Sequence, residues 1–428
     1  MSATKNELVL GEVFKQNRYT FSTLLIALLV LFFTSSAWKS SSAKTHNVES
    51  TILPAPMPSP YFSFIKNYHS FIEAEIDTTG NVGAAVAIVC GDSLLFIQPY
   101  GVKSAGTTDS VNVNTIFRLA SVSKGFAGVL AAKMEAEGKL DLDANVKSYL
   151  PGIRLKDSFS TDSLTIKHTL NHTSGLVPHA YDNLIEAHVP MSEIIDRLNV
   201  VDIAAKPGEV YGYQNVMYSM IDTILQVKTG NTYSSLLNTE LFKPLGMNSA
   251  SADFESLSDS CNLALPHVYT KKGAAALKPN KRYYNMAPAA GVNASISDMG
   301  EWLMALLGNR TGVLDENTLK SITTPTVQTP LRRKYYWRWK GVEEKYYSLG
   351  WRIYTYRGYD IIYHGGYVKG YRAEISFCPE LNAGVVFLQN SPNRLSSESM
   401  PVFWDMYFNE FVENKTDSTL FARTVNSK

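Results

Sequence analysis

The chain has 428 residues, 40 Lys and Arg against 39 Asp and Glu, and an apolar content of 45%. That length and composition exclude a disordered chain, and the near-zero net charge excludes the basic footprint of a general nucleic-acid binder. Three scattered cysteines, Cys90, Cys261 and Cys378, make neither a disulfide framework nor a Cys-x-x-Cys metal or redox pair. They read as buried thiols.

The first element in chain order is the apolar run Leu24 to Phe33, preceded by Lys5, Lys15 and Arg18. With its flanks from Phe21 to Trp38 it reaches about 27 Å as a helix, just enough for a bilayer core. The basic residues before it place the N-terminus in the cytoplasm and the remainder outside. Ser35-Ser36-Ala37 offers a signal-cleavage site, whereas the long polar lead and Trp38-Lys39 favour an uncleaved anchor. We read residues 1–38 as cytoplasmic stub and anchor, or signal, and 39–60 as a Ser/Thr/Pro-rich spacer. Residues 61–412 form the globular domain, and 413–428 a polar tail.

Within the domain, Ala84–Val89 and Leu94–Ile97 predict a β-hairpin turning at Cys90-Gly91-Asp92-Ser93. Helical spacing runs from Ser121 to Glu137, with Gly138 as its stop, and recurs over 216–228, 233–241 and 297–307. Strands return at Tyr359–Tyr363, Tyr371–Phe377 and Gly384–Gln389, the last two joined through Pro379-Glu380-Leu381-Asn382. Strands at both ends with helices between them predict an α+β fold: one sheet assembled from the termini, and a helical lobe. The aromatic-basic stretch Arg332 to Lys340 reads as an insertion whose aromatics pack. The alternatives are a cleft rim or a contact with a membrane or acidic glycan.

Three short motifs carry candidate chemistry. Ser-x-x-Lys occurs five times, beginning at Ser2, Ser36, Ser41, Ser63 and Ser121, but only Ser121 opens a strong helix in the globular region. There Ser121 and Lys124 share one helical face, and a lysine neutralised by burial can activate a hydroxyl. Ser123 is the poorer candidate because its neighbour Lys124 projects away from it. Tyr-x-Asn occurs at Tyr181, Tyr213, Tyr283 and Tyr407; the Tyr213-Gln214-Asn215 copy stands in a loop before a helix. His364-Gly365-Gly366 closes an apolar strand, where two glycines permit close approach of a ligand or backbone. Singly, each has a plain structural reading: Ser121 or Asn215 as a helix N-cap, Tyr213 as a loop residue, His364 in a strand turn.

Two decoys are set aside. Gly91-Asp92-Ser93-Leu94 spells a lipase motif but sits in the hairpin turn, and Asp360 and His364 lie four apart rather than three. His168 and His172 have metal-ligand spacing without a following carboxylate, so a structural role is favoured. No Gly-x-Ser-x-Gly elbow occurs.

Phe117-Arg118-Leu119-Ala120-Ser121-Val122-Ser123-Lys124, then Tyr213-Gln214-Asn215, then His364-Gly365-Gly366 form an ordered set. It resembles the serine β-lactamase and penicillin-binding-protein superfamily, in its class C-related, D-alanyl-D-alanine-peptidase and esterase branch. The stretches 164–176, 242–247, Pro288–Val292 and Ser348–Trp351 resemble that family too. The resemblance implies an antiparallel sheet flanked by helices, an all-helical lobe, and an active site between them. It implies Ser121 as acylated nucleophile, Lys124 and Tyr213 as proton carriers, and Asn215 as orienter of Lys124 and the substrate amide. The N–H groups of Ser121 and Tyr367, beside Gly365 and Gly366, are implied as the oxyanion hole. His364 stands where β-lactamases usually carry lysine, so peptides or esters are the expected substrates. A true β-lactamase and a non-turnover envelope penicillin sensor are the alternatives. No cofactor or metal is expected; the partners are a small-molecule or peptide substrate and, through the N-terminal segment, a membrane. His364, with a reference pKa of about 6.5, is largely neutral at pH 7; with the neutral form binding substrate, activity is expected to fall as pH drops through its pKa.

Overall fold

The computed structural model describes residues 59–330 and 339–413. The predicted anchor, the spacer up to residue 58, the tail beyond Glu413 and most of the aromatic-basic stretch lie outside them; residues 59 and 60, read as spacer, open the first helix. No helix of the described residues is long and apolar enough to cross a membrane.

Helix α1 (Ser59–Thr79) leads into the hairpin β1 (Gly83–Cys90) and β2 (Ser93–Gly101). The lobe contains α2 (Ser123–Ala136), α3 (Asn215–Thr229) and α4 (Ile296–Leu306). The chain then returns to the sheet as β3 (Val327–Gln328), β4 (Val342–Tyr347), β5 (Arg352–Tyr356), β6 (Tyr359–Val368), β7 (Tyr371–Cys378) and β8 (Ala383–Gln389). It ends in α5 (Arg394–Phe408). The order β2-β1-β8-β7-β6-β5-β4-β3 makes one eight-stranded sheet, antiparallel throughout. This is the expected α+β architecture, with sheet from both ends of the domain and a lobe between.

Strands β1 and β8 carry almost no polar residues because both faces are covered. Alternation along β1 sends Ala85, Ala87 and Val89 into the core under the lobe, and Ala84, Val86, Ile88 and Cys90 into a second core. The second core lies beneath α1 and α5, where Phe64 and Tyr68 meet Phe403 edge-on at 5.3 and 5.4 Å. Buried Trp339 joins it, edge-on to Tyr354 and Tyr363, so this one residue of the aromatic-basic stretch packs. Cys90 and Cys378 are buried as expected, whereas Cys261 is exposed, which corrects the reading of all three as buried.

Strand β6 corrects a second expectation. It runs on through His364-Gly365-Gly366, because pairing of Gly365 with Glu374 and Gly366 with Ala373 outweighs the low strand propensity of glycine. The predicted 233–241 helix is likewise two pieces, an α-helix over Tyr233–Leu237 and a π-turn over Asn238–Phe242.

Helix α2 is clamped against the turn between β4 and β5. Its Gly128 lies where a Cβ would stand 2.0 Å from the Leu349 carbonyl oxygen. Gly128→Ala is therefore expected to destabilise the domain by about 1–3 kcal/mol through overpacking. Denaturant unfolding checks this, and an unchanged midpoint would show that the clamp yields freely.

Candidate active site

The nucleophile turn is built from both sides. The two-residue strand Phe117–Arg118 pairs with Asn293–Ala294, and the Leu119 N–H donates to the Val292 carbonyl at 2.9 Å. Ala120 then takes a left-handed φ of 49° and opens a 3-10 turn, Ala120–Val122, ahead of α2. A left-handed alanine costs roughly 1–2 kcal/mol, a strain repaid by this bracketing. Ser121 remains partly exposed, and the residue capping α2 is Val122, without a side-chain cap bond. The N-cap reading of Ser121 therefore fails. Ser123 is fully buried with its Oγ accepting the Val292 N–H at 2.9 Å, a structural role.

Lys124 has no exposed surface. Its Nζ donates to Asn215 Oδ1 at 2.8 Å and to the Ala289 carbonyl at 2.9 Å. The rings of Tyr213 and Tyr218 lie 4.7 and 5.4 Å from the nitrogen. Burial, with Arg352 adding to it and Asp182 opposing, drives its pKa well below the ordinary lysine value. A neutral amine has two N–H donors and one lone pair. Both donors are spent on protein oxygens, so the lone pair is the group left for Ser121.

Burial raises the pKa of Tyr213, with the neighbouring Ser121 side chain working against it. The phenol therefore stays protonated and suits relay or donation rather than a standing phenolate. Asn215 lies in the first turn of α3, whose N-cap is Gln214 without a side-chain cap. Instead of capping, the Asn215 amide bridges Lys124 and Asp182, with Nδ2 donating to Asp182 Oδ1 at 3.0 Å.

His364 is buried, its Nε2 3.2 Å from the Tyr347 hydroxyl and its Nδ1 3.0 Å from the Gly365 carbonyl. Burial first, then Arg352 and Lys124, push its pKa well below 6.5. His364 is therefore neutral at pH 7, and a fall in activity on its protonation is expected well below 6.5. His172 is equally buried and lowered, its ring 4.3 Å from that of Tyr213 and 4.8 Å from that of Tyr347. Its Nδ1 accepts the Gln214 N–H at 3.2 Å, and His168 accepts the Thr165 N–H within a capping box. Both histidines thus have structural partners, and the described residues hold no group of three or more potential metal ligands.

Gly366 brings β6 onto the nucleophile turn. A Cβ there would stand 2.1 Å from the Leu119 oxygen and 2.9 Å from the Ser121 nitrogen. Gly365 instead lies under the Tyr363 hydroxyl and the Glu374 carboxylate. Tyr367, next along the strand, is 59% exposed. Five of the expected residues, Ser121, Lys124, Tyr213, Asn215 and His364, are thus joined in one cluster through these contacts and shared neighbours. Gly366 sets the strand against it.

Two further residues belong to the cluster and were not foreseen. Arg352 lays its guanidinium 5.7 Å from both the Tyr213 and Tyr347 ring centres and donates to the Tyr211 hydroxyl at 3.3 Å. It immediately follows Ser348–Trp351, a stretch already singled out. Asp182 lies inside the discarded copy Tyr181-Asp182-Asn183.

A family model described as Beta-lactamase matches residues 69–401. Protein flp of Staphylococcus aureus strain MRSA252 is 22% identical over 355 residues, covering 82% of the chain and 67% of the relative. The unguisins hydrolase ungD' of Aspergillus campestris is 23% identical over 337 residues, covering 76% of the chain and 61% of the relative. The octameric penicillin-binding protein homologue of Pyrococcus abyssi superposes with a TM-score of 0.69 at 22% identity, over 80% of this chain and 77% of that one. At that identity the superposition speaks for the fold alone.

Proposed function

The chain belongs to the Beta-lactamase family of serine hydrolases, and from that premise we propose that it opens amide or ester bonds through an acyl-enzyme on Ser121. The single observation that carries the reading is the buried Lys124 amine, both donors committed and 4.7 Å from the ring centre of Tyr213, at the start of α2 three residues after Ser121. Ser121 Oγ attacks the carbonyl carbon while its proton passes to Lys124, directly or through Tyr213. The negative charge formed on the carbonyl oxygen would be met by the N–H groups of Ser121 and Tyr367, each such donor worth about 3 kcal/mol. As the leaving amine or alkoxide departs with that proton, the Oγ–C ester remains, and water then attacks it by the same route in reverse.

The substrates we propose are D-amino-acid peptides of the cell-wall type, or small esters. Neutral His364 lacks the fixed charge of a lysine, while Arg352 supplies one nearby for an anionic end of a peptide. We also propose that the catalytic domain is exported and tethered through the apolar segment Leu24–Phe33, on the strength of that run and the basic residues before it.

Turnover of D-Ala-D-Ala peptides, short-chain esters and nitrocefin should be compared on the purified chain. Peptide or ester hydrolysis well above nitrocefin hydrolysis is expected; efficient nitrocefin turnover would make it a β-lactamase instead. The reaction needs neutral Lys124, so the rate should rise with pH through the depressed lysine pKa and be lost below it. An acid limb at the ordinary lysine value, near 10.4, would exclude that base.

A further inference from the structure

We propose that Asp182 is a positioning residue that fixes the Asn215 amide and thereby keeps the Lys124 lone pair available to Ser121. The inference rests on the acyl-serine reading above and deepens it. Neutral Lys124 offers two N–H groups and one lone pair, and Asn215 meets it with Oδ1, which can only accept. With the amide reversed, Nδ2 would donate into the lone pair and occupy the base. An asparagine amide on its own has little to choose between the two orientations.

The Asp182 carboxylate makes the choice, because it has only acceptors and draws Nδ2 to itself at 3.0 Å. Asp182 is itself held firmly. Its Oδ2 lies 2.8 Å from His179 Nδ1, and the His179 N–H donates to the Tyr213 carbonyl at 2.8 Å. The Tyr181 hydroxyl donates to the Arg197 carbonyl at 2.9 Å. His179 and Tyr181 both take left-handed backbone angles, φ of 61° and 63°, to place the carboxylate between these ties. The result is a chain of contacts from exposed His179 through Asp182 and Asn215 to the fully buried amine.

The charge matters as well as the orientation. Arg352 and burial lower the proton affinity of Lys124, and Asp182 is the anion opposing them. The other polar or titratable groups around the amine are Tyr213, Tyr218, His172 and His364; the two histidines are lowered by burial and neutral. Removing the Asp182 charge should therefore move the acid limb of Ser121 reactivity to lower pH, by about one unit. Randomising the amide should reduce the plateau rate above the limb about tenfold or more.

The test is the rate at which a fluorophosphonate probe modifies Ser121 across acid, neutral and alkaline pH. In that step the Oγ–P bond forms, the P–F bond breaks, fluoride leaves, and the hydroxyl proton passes to the base. Asp182→Asn and Asp182→Ala should show both the lowered limb and the reduced plateau, with folding followed by thermal unfolding. Asp182→Glu should return the limb to its wild-type position. A purely structural role would lower the melting temperature and leave the limb unmoved, and that result overturns the proposal, as does a wild-type rate in Asp182→Asn. If neither neutral variant folds, the anion serves the fold rather than Lys124, and the inference fails. A wild-type chain that does not label at Ser121 would instead overturn the acyl-serine reading, and this inference with it.

Discussion

Ser121→Ala is expected to lose all covalent labelling by a fluorophosphonate or a labelled penicillin, and to lose about four to six orders of magnitude in turnover of any ester or peptide substrate. The size of the effect follows from the cluster acting as a unit. Lys124 and Tyr213 have no other hydroxyl to activate once Oγ is gone, and binding or an oxyanion hole alone leaves only a small residual rate. The fold should be untouched, because Ser121 makes no capping bond and sits at a partly exposed turn. Ser123→Ala is the internal control. Its Oγ is tied to the Val292 N–H, so that variant should be less stable yet still label. Labelling that survives Ser121→Ala and disappears with Ser123→Ala would move the nucleophile by two residues.

Gly366→Ala should reduce labelling about a hundredfold to a thousandfold while costing about 1–3 kcal/mol of stability. The added methyl would meet the Leu119 oxygen at 2.1 Å and the Ser121 and Val122 nitrogens at 2.9 and 3.0 Å. All three are backbone atoms, so no side chain can swing aside. Either β6 or the nucleophile turn must retreat, and both carry an N–H expected at the oxyanion. Gly365→Ala gives the contrast within the same motif. Its methyl would meet the ends of two side chains, the Tyr363 hydroxyl at 2.5 Å and Glu374 Oε2 at 2.6 Å. These can shift, so the loss in labelling should be smaller. Equal labelling rates for wild type and Gly366→Ala would show that strand and turn need not touch for acylation.

The motif order Ser121–Lys124, Tyr213–Asn215, His364–Gly366 made the centre of the site legible, because each residue lies within a contiguous pattern that can be read locally. The β1–β2 hairpin and the β7–β8 connection were legible for the same reason: turn residues between apolar runs. Strands β4 and β5 were not, since VEEKYY and RIYTY lack apolar alternation and become strands by pairing with β6 and each other. Helix α1 goes unread although its buried residues Phe64, Ile65, Tyr68 and Ile72 share one helical face, because that face finds its partner only in α5, more than 300 residues on. Arg352 and Asp182 escaped because their roles depend on residues far away in sequence. Asp182 reaches Asn215, 33 positions on, and Arg352 reaches back 141 positions to Tyr211. A motif search sees Tyr181-Asp182-Asn183 as a spurious match. Spatially, its middle residue faces the second residue of the genuine pair.

The strand order carries a consequence for how the molecule comes into being. Besides its hairpin partner β2, β1 pairs only with β8, across the span from Ala84 to Gln389. The sheet therefore cannot close until nearly the whole domain has left the ribosome, and closing so long a loop is slow. Until then the small apolar strand GAAVAIVC offers an open edge to any neighbouring chain. A product truncated before Ala383 keeps Ser121, Lys124, Tyr213 and His364, yet permanently lacks the partner of that edge. It is destined for aggregation or proteolysis, so a late stop codon here is a complete loss of the protein rather than a weakened enzyme.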